Sequence, residues 1–370
     1  MNIKRVTLHI TEMKLVFPFA TSYGTYRERE SILIEIEDMD GCIGWGEVVA
    51  FSQPWYTEET VQTSLHMLRE FLVPSLLGRT IEHPSELPQL FSNVKRNRMA
   101  KAGLEGAVWD IYAQHKNQPL AAVLGGVRSD IEVGVVIGID TLPRMLQQIE
   151  RYAAEGYQRF KVKIKPGYDS ELLQGIRQAF PNLPLMADAN SAYTLQDKDQ
   201  LKKLDDFGLM MIEQPLADDD ILDHALLQKE LQTPICLDES IHSLEDARVA
   251  ITLGSCRVVN IKAGRVGGLT EAIRIHDYCQ AHHIPVWCGG MIETGISRAQ
   301  NVALAALPNF TIPGDISASL RHWEEDVIIP DIKLSDGRVP VSSVPGLGYK
   351  VNRNRLRNIT MQTIVLENQS

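Results

Sequence analysis

The sequence predicts an α/β fold: a modified (β/α)7β TIM barrel with an N-terminal α+β capping domain completed by the C-terminal tail. Three observations lead there. From about residue 130 to residue 312, short apolar segments alternate with amphipathic helical stretches. Before that, period-2 segments and two helical stretches read as α+β. After about residue 325 the alternation stops, leaving a tail to pack back on the first part. The expected boundaries are 1–128 for the capping domain, 129–324 for the barrel with the active site, and 325–370 for the tail.

The elements follow in order. Residues 3–17 and 31–50 alternate and are broken by Gly41, Gly44 and Gly46, which predicts a small meander. Thr21 to Thr25 has turn chemistry and predicts a mobile loop. Apolar residues recur at helical spacing over 58–77 and 101–116, the second helix stopping near Asn117 with Pro119 beyond. Strands are then expected at 133–139, 159–164, 185–188, 210–213, 235–238, 258–262, 285–288 and 310–312, with helices such as 170–180 and 270–282 between them. An open doubly wound sheet would show the same alternation, but no Gly-rich dinucleotide fingerprint follows any strand.

Composition narrows the function. A net charge of −10 argues against nucleic acid as a partner, which needs clustered Lys and Arg, yet leaves room for an anionic small molecule. No run of about 18 apolar residues suggests a membrane span. The N-terminus lacks a signal-peptide pattern, and the five scattered cysteines form no CxxC, so a reducing, cytoplasmic location is expected.

The ends of successive barrel strands carry Lys163, Asp188, Glu213, Asp238 and Lys262, at intervals of 25, 25, 25 and 24 residues. One βα unit takes roughly 20–30 residues, so the five charges should meet at the C-terminal rim, where barrel active sites form. A charge at one strand end is ordinarily a helix cap or a solvated loop residue; five in succession, ordered base, acid, acid, acid, base, point to chemistry. Three carboxylates are hard oxygen donors suited to Mg²⁺ or Mn²⁺, and soft zinc ligands are absent from these positions. Lys161 and Lys163 share a strand face, so both should point inward. Their mutual repulsion should lower each amine's pKa, making Lys161 the tuner and Lys163 the base. Lys262, on the other side, could serve the opposite face of one carbon. The substrate expected is a small carboxylate that loses its α-proton.

The chain resembles the enolase superfamily, muconate-lactonising subgroup, through Lys161-x-Lys163, Asp188-Ala189-Asn190, Glu213-Gln214-Pro215, Asp238-Glu239-Ser240 and Asn260-Ile261-Lys262. Leu104 to Asp110 and Leu124-Gly125-Gly126 extend the resemblance over the first domain. Arg265-Val266-Gly267-Gly268 and Gly289 to Gly295 are similar to the o-succinylbenzoate synthases whose group includes N-succinylamino acid racemases. That resemblance implies a metal-dependent lyase of menaquinone biosynthesis. It would dehydrate 2-succinyl-6-hydroxy-2,4-cyclohexadiene-1-carboxylate through an enediolate, with Lys163 as base and Lys262 as a standing cation. A racemase would use both lysines as acid and base; a dipeptide epimerase fits less well. A homo-oligomer is also implied. Ala263 and Val136 depart from the pattern, which has Pro and often Ser there.

Other residues have smaller parts. Asn190 and Glu239 are expected to support the metal and lysines. Segments 19–24 and 51–56 resemble the family's two loops over the substrate, which singles out Tyr23 and Trp55. Arg265, Gly290, Met291 and Ile292 are candidate substrate contacts. The run Asp218 to Asp220 suits a helix start, His282 and His283 a helix end, and Cys288 a buried thiol.

Overall fold

The computed structural model describes residues 1–20 and 25–367. Strands β1 (Ile3–Ala20) and β2 (Thr25–Asp38) pair antiparallel, and β3 (Ile43–Val48) returns along β2. The tight turn before β3 is held by Asp38, whose Oδ1 accepts from Cys42 N at 2.8 Å, with Gly41 at φ +80°. Val6, Leu8 and Ile10 face Ile36, Ile34 and Ile32 in register; all are buried, and period-2 alternation puts them on one side of the sheet. That side packs on residues 61–76 and on the helix Arg98–His115. The C-terminal strand Thr360–Glu367 pairs with the free edge of β1, completing the four-stranded sheet.

β3 crosses the helix Arg98–His115 at unusually close range, because the crossing points are glycines. A Cβ on Gly46 would overlap the Gly103 carbonyl oxygen, and one on Gly44 the carbonyl of Ala107. Asp110 on that helix fastens the crossing, accepting from Trp45 N (2.9 Å) and from Leu347 N (2.7 Å) of the C-terminal segment.

The second sheet has seven parallel strands in sequence order: β4 (Gly134–Ile137), β5 (Arg159–Lys163), β6 (Leu185–Asp188), β7 (Ile212–Glu213), β8 (Ile235–Leu237), β9 (Val258–Ile261) and β10 (Val286–Cys288). The eighth expected strand, 310–312, does not form. A single bridge joins Phe310 to Val286 and another joins Gly314 to Val133, so an irregular segment links the two sheet edges. Pro308 and Pro313 flank it, and proline supplies no N–H to a ladder. Helices Leu142–Ala154, Ser170–Ala179, Ile221–Glu230, Leu244–Leu253, Leu269–Ala281 and Gly295–Ala305 lie between or after the strands; the link from β6 to β7 holds only Lys198–Lys202 and 3-10 turns. The stretch 58–77 is helical from Val61 to Leu76, with a π-helical turn at Leu68–Leu72 ahead of Pro74. Among the described residues no helix is long and apolar enough to cross a membrane.

Inside the curled sheet, Met186, Met211, Cys236, Val258 and Trp287 form an apolar floor. Two residues beyond four of these, on the same strand faces, come Asp188, Glu213, Asp238 and Asn260.

The glycine crossing gives a direct test. Gly46→Ala should destabilise the protein by about 3 kcal/mol, because both colliding partners are backbone and cannot move aside. Thermal melts matching those of the parent protein would show that the crossing is looser.

Candidate active site

Strand alternation sends Arg159, Lys161 and Lys163 of β5 to the inner face. Lys163 is the register partner of Asp188, which is the partner of Glu213. The row continues to Cys236 and then Val258, so Asp238 and Lys262 stand two and four residues further along their strands. A closing sheet tilts its strands and staggers the register in this way. Equal spacing in sequence therefore delivers charges to the same end of the sheet, though not to one hydrogen-bonded row.

The five charges meet through cation–carboxylate contacts. Lys163 Nζ donates to Asp188 Oδ2 (2.7 Å) and to Asn190 Oδ1 (2.5 Å). Asn190 in turn donates to Glu239 Oε1 at 2.8 Å. Lys262 Nζ donates to Asp238 Oδ2 (2.7 Å) and to the phenol oxygen of Tyr56 (2.8 Å). Asn260 Nδ2 donates to Glu213 Oε1 at 2.9 Å. Gln214, next to Glu213, accepts from Asp238 N (3.1 Å) and Ser240 N (3.2 Å), which ties two strand ends together. Asn190 and Gln214 both have positive φ, 41° and 39°, a conformation uncommon outside glycine.

Lys161 departs from expectation. Its amine is held well above the ordinary lysine range: burial opposes this, but Asp315, Glu213 and Asp188 outweigh it. The expected lowering by a neighbouring cation does not occur because Lys161 reaches Asp315 Oδ2 at 2.6 Å, Glu213 Oε2 at 3.1 Å and Asp188 Oδ2 at 3.4 Å. Asp315 also pairs with Arg159 (2.5 Å), whose guanidinium lies over the Trp287 ring. Burial pushes the Glu213 carboxyl up to about 8, with the Asp188 charge adding to it. Glu239 is pushed up to about 7 by burial and the Asp238 charge. Burial also works against Asp188, but Lys163 and Lys161 overcome it and bring that group down to about 2. Asp238 is lowered in the same sense by Lys262 and Arg265.

The donor set suits a hard divalent cation: three buried carboxylates, on neighbouring strands, supply only oxygen ligands. A different group, Asp38, Cys42 and His115 in the capping region, brings three ligand atoms within 4.8 Å of one another. There Asp38 already accepts from Cys42 N and contacts His115 Nε2 at 2.5 Å, so it reads as a hairpin anchor.

The remaining expected residues are spread around this centre. Arg265 is buried, and its guanidinium donates to Asp238 Oδ1, Tyr56 (3.3 Å), the Ile241 carbonyl (2.7 Å) and the Asn260 carbonyl (2.6 Å). Gly289 is packed so tightly that a Cβ would meet Lys262 Cε at 2.7 Å, and one on Gly290 would overlap the Asp315 carbonyl. Ile292 is buried and Met291 half-buried; Arg29 Nε donates to the Ile292 carbonyl at 3.0 Å. Trp55 lies against Phe51, the ring centroids 4.4 Å apart and the planes tilted by 33°. Tyr23 lies outside the described residues. Cys288 is buried with its thiol raised by burial, and Asp220 caps the following helix by accepting from Asp223 N at 2.8 Å. Sequence reasoning missed Arg159, Asp315, Asn260 and Tyr56 as members of the site. Arg159 was readable, since it continues the alternation of Lys161 and Lys163; Asp315 sits in an irregular segment with no period to flag it.

Residues 4–125 match the family described as mandelate racemase / muconate lactonizing enzyme, N-terminal domain, and residues 144–355 match enolase C-terminal domain-like. An o-succinylbenzoate synthase from Bacillus subtilis (strain 168) is 59% identical over 356 residues, 96% of each chain. An N-succinylamino acid racemase from an Amycolatopsis species is 49% identical over 350 residues, 94% of this chain and 95% of that one. The crystal structure of an enolase superfamily member from Listeria innocua superposes with a TM-score of 0.97 at 43% identity, covering 99% of both chains.

Removing Asp315 tests the charge arrangement. Asp315→Ala should cost about 3–5 kcal/mol, because it strands the buried Arg159 without a carboxylate and takes from Lys161 the shortest of its three ion pairs. Denaturant unfolding curves that overlay those of the parent would show that the pairing contributes nothing.

Proposed function

The chain belongs to the mandelate racemase / muconate lactonizing enzyme family of the enolase superfamily, and on that premise we propose that it is an o-succinylbenzoate synthase. The observation that carries the chemistry is the pair of ammonium groups, Lys163 and Lys262, flanking the Asp188–Glu213–Asp238 carboxylates. The substrate class comes from the synthase relatives, which are 44–59% identical over nearly their whole length.

In this reading Asp188, Glu213 and Asp238 hold Mg²⁺, with Mn²⁺ as the substitute. The bound cation would supply Lewis-acid stabilisation of the negative charge that builds on the substrate carboxylate. Lys163 removes the α-proton of 2-succinyl-6-hydroxy-2,4-cyclohexadiene-1-carboxylate and returns it to the departing hydroxyl. A C–H and a C–O bond break, a ring double bond forms, and water leaves. Lys262 keeps its proton and faces the developing charge from the other side. Asn190 orients Lys163, Glu239 orients Asn190, and Arg265 holds Asp238. Trp55, Tyr23, Met291, Ile292 and Gly290 would close around the succinyl arm. The enzyme works in the cytoplasm as a homo-oligomer.

The second reading is N-succinylamino acid racemisation, favoured by the 49%-identical racemase and by a lysine on each flank of the carboxylates. Steady-state assays with Mg²⁺ on both substrate classes separate the two. A high kcat/KM on the cyclohexadiene carboxylate alone marks a dedicated synthase; equal or greater values on N-succinylamino acids make racemisation a function in its own right. Lys163→Ala should lower kcat by at least about a thousandfold, as loss of a general base does, while calorimetry finds Mg²⁺ affinity little changed. Glu213→Gln should weaken Mg²⁺ binding by about tenfold or more, and an unaltered titration would remove Glu213 from the ligand set.

A further inference from the structure

Tyr56 stands apart from the other members of the site because it comes from the capping region, yet ends on a barrel lysine. Its oxygen accepts from Lys262 Nζ at 2.8 Å and from Arg265 Nη1 at 3.3 Å, and it lies 3.4 Å from Asp238 Oδ2 as a donor. The Lys262 ammonium lies 4.6 Å from the ring centroid, a separation that the bond to the para oxygen already imposes. Tyr56 is half-buried, and burial together with the Asp238 charge pushes its phenol up to about 12. It therefore stays a neutral hydrogen-bonding group at neutral pH.

The backbone that carries Tyr56 is fixed to the rest of the capping region. The Phe51 carbonyl accepts from Val61 N at 2.9 Å, and the Phe51 ring lies 4.4 Å from the Arg29 guanidinium. Arg29 also donates to the Val49 carbonyl (2.7 Å), the Ala50 carbonyl (2.6 Å) and the Ile292 carbonyl (3.0 Å). The segment before Tyr56 is thus anchored to the barrel loop that follows β10. Among the described residues Lys163 makes no such contact: it bonds to Asp188 and Asn190, both from β6 and the residues after it.

We propose that Tyr56 is a positioning residue for Lys262 alone, through which the capping segment 51–56 sets the placement of that ammonium and not of Lys163. The inference rests on the racemisation reading above, in which each lysine moves a proton at one face of the α-carbon. It makes the two faces separable: a fault in the capping segment disables one lysine and spares the other.

The experiment is α-proton exchange in D₂O with Mg²⁺, followed by NMR separately on the two enantiomers of an N-succinylamino acid. Lys163→Ala and Lys262→Ala assign which enantiomer reports on which lysine. Tyr56→Phe removes only the phenol oxygen and keeps the ring in place. It should slow exchange at the Lys262 face at least about tenfold, or 1.4 kcal/mol, and leave the Lys163 face within about threefold. Equal slowing at both faces would overturn the inference, since that is what general damage to the closed site would do; so would exchange unchanged at both. A parent enzyme exchanging at one face only overturns it too, because Lys262 then moves no proton for Tyr56 to guide. Failure of that reading is seen separately, as absence of exchange at either face by the parent enzyme.

Discussion

Ionised side chains cannot be left in a protein interior without partners; each stranded charge costs several kcal/mol. The mouth of this barrel encloses Arg159, Lys161, Lys262 and Arg265 together with Asp188, Glu213 and Asp238, all buried, with Asp315 and Lys163 at their margin. Every one of these cations contacts a carboxylate of the set. The requirement for pairing fixes the residues around them. Gly289 must lack a side chain because Asn260 and Lys262 occupy that space, and the Asn260 amide donates to Glu213. The proposed catalytic residues and the structural integrity of the mouth belong to one network.

The same demand governs how the two parts of the chain meet. Glu47 on β3 is buried, yet it accepts from Thr294 N, Thr294 Oγ1 and Ser297 N at the start of the helix Gly295–Ala305. A carboxylate at a helix N-terminus offsets its own burial through the free N–H groups there. Gln300 on that helix reaches back to the Trp45 carbonyl at 3.0 Å. Arg29 spreads its donors over carbonyls from both parts. The capping sheet is therefore attached to the barrel by polar groups that neither part alone could satisfy, and those attachments surround the segment carrying Met291 and Ile292.

Much of this was legible because two periods coincide. A strand repeats every two residues and a βα unit every 25 or so, so a charge at each strand end stands out as a series. Lys163, Asp188, Glu213, Asp238 and Lys262 were visible for that reason, as were the seven strands. Arg159 and Asn260 lay on the strand period, whereas the other two missed residues had no period to flag them. Asp315 follows a segment where prolines replaced the eighth strand, and Tyr56 sits in a coil whose direction only tertiary packing decides. The sign of the Lys161 effect was misjudged for a related reason. Sequence shows the lysine two residues away, whereas three carboxylates from three other segments decide the balance.

The two lysines are not equivalent, and the difference bears on which chemistry the site favours. Lys262 is enclosed, with 9% of its side chain exposed, and is surrounded by Asp238 and Tyr56, which together outweigh burial and hold it above its ordinary pKa. Lys163 keeps 27% of its side chain exposed and contacts one carboxylate and one amide. A dehydratase needs one lysine to take and return a proton and the other only to stay charged; a racemase needs both to alternate. The enclosure of Lys262 supports the first division of labour. Racemisation demands more of the same geometry, because Lys262 must then reach a neutral state against Asp238 and an acceptor phenol. One tenfold step in rate is worth about 1.4 kcal/mol, roughly the net value of a single hydrogen bond. The balance between the two activities can therefore turn on individual contacts around Lys262 while every carboxylate and both lysines stay in place.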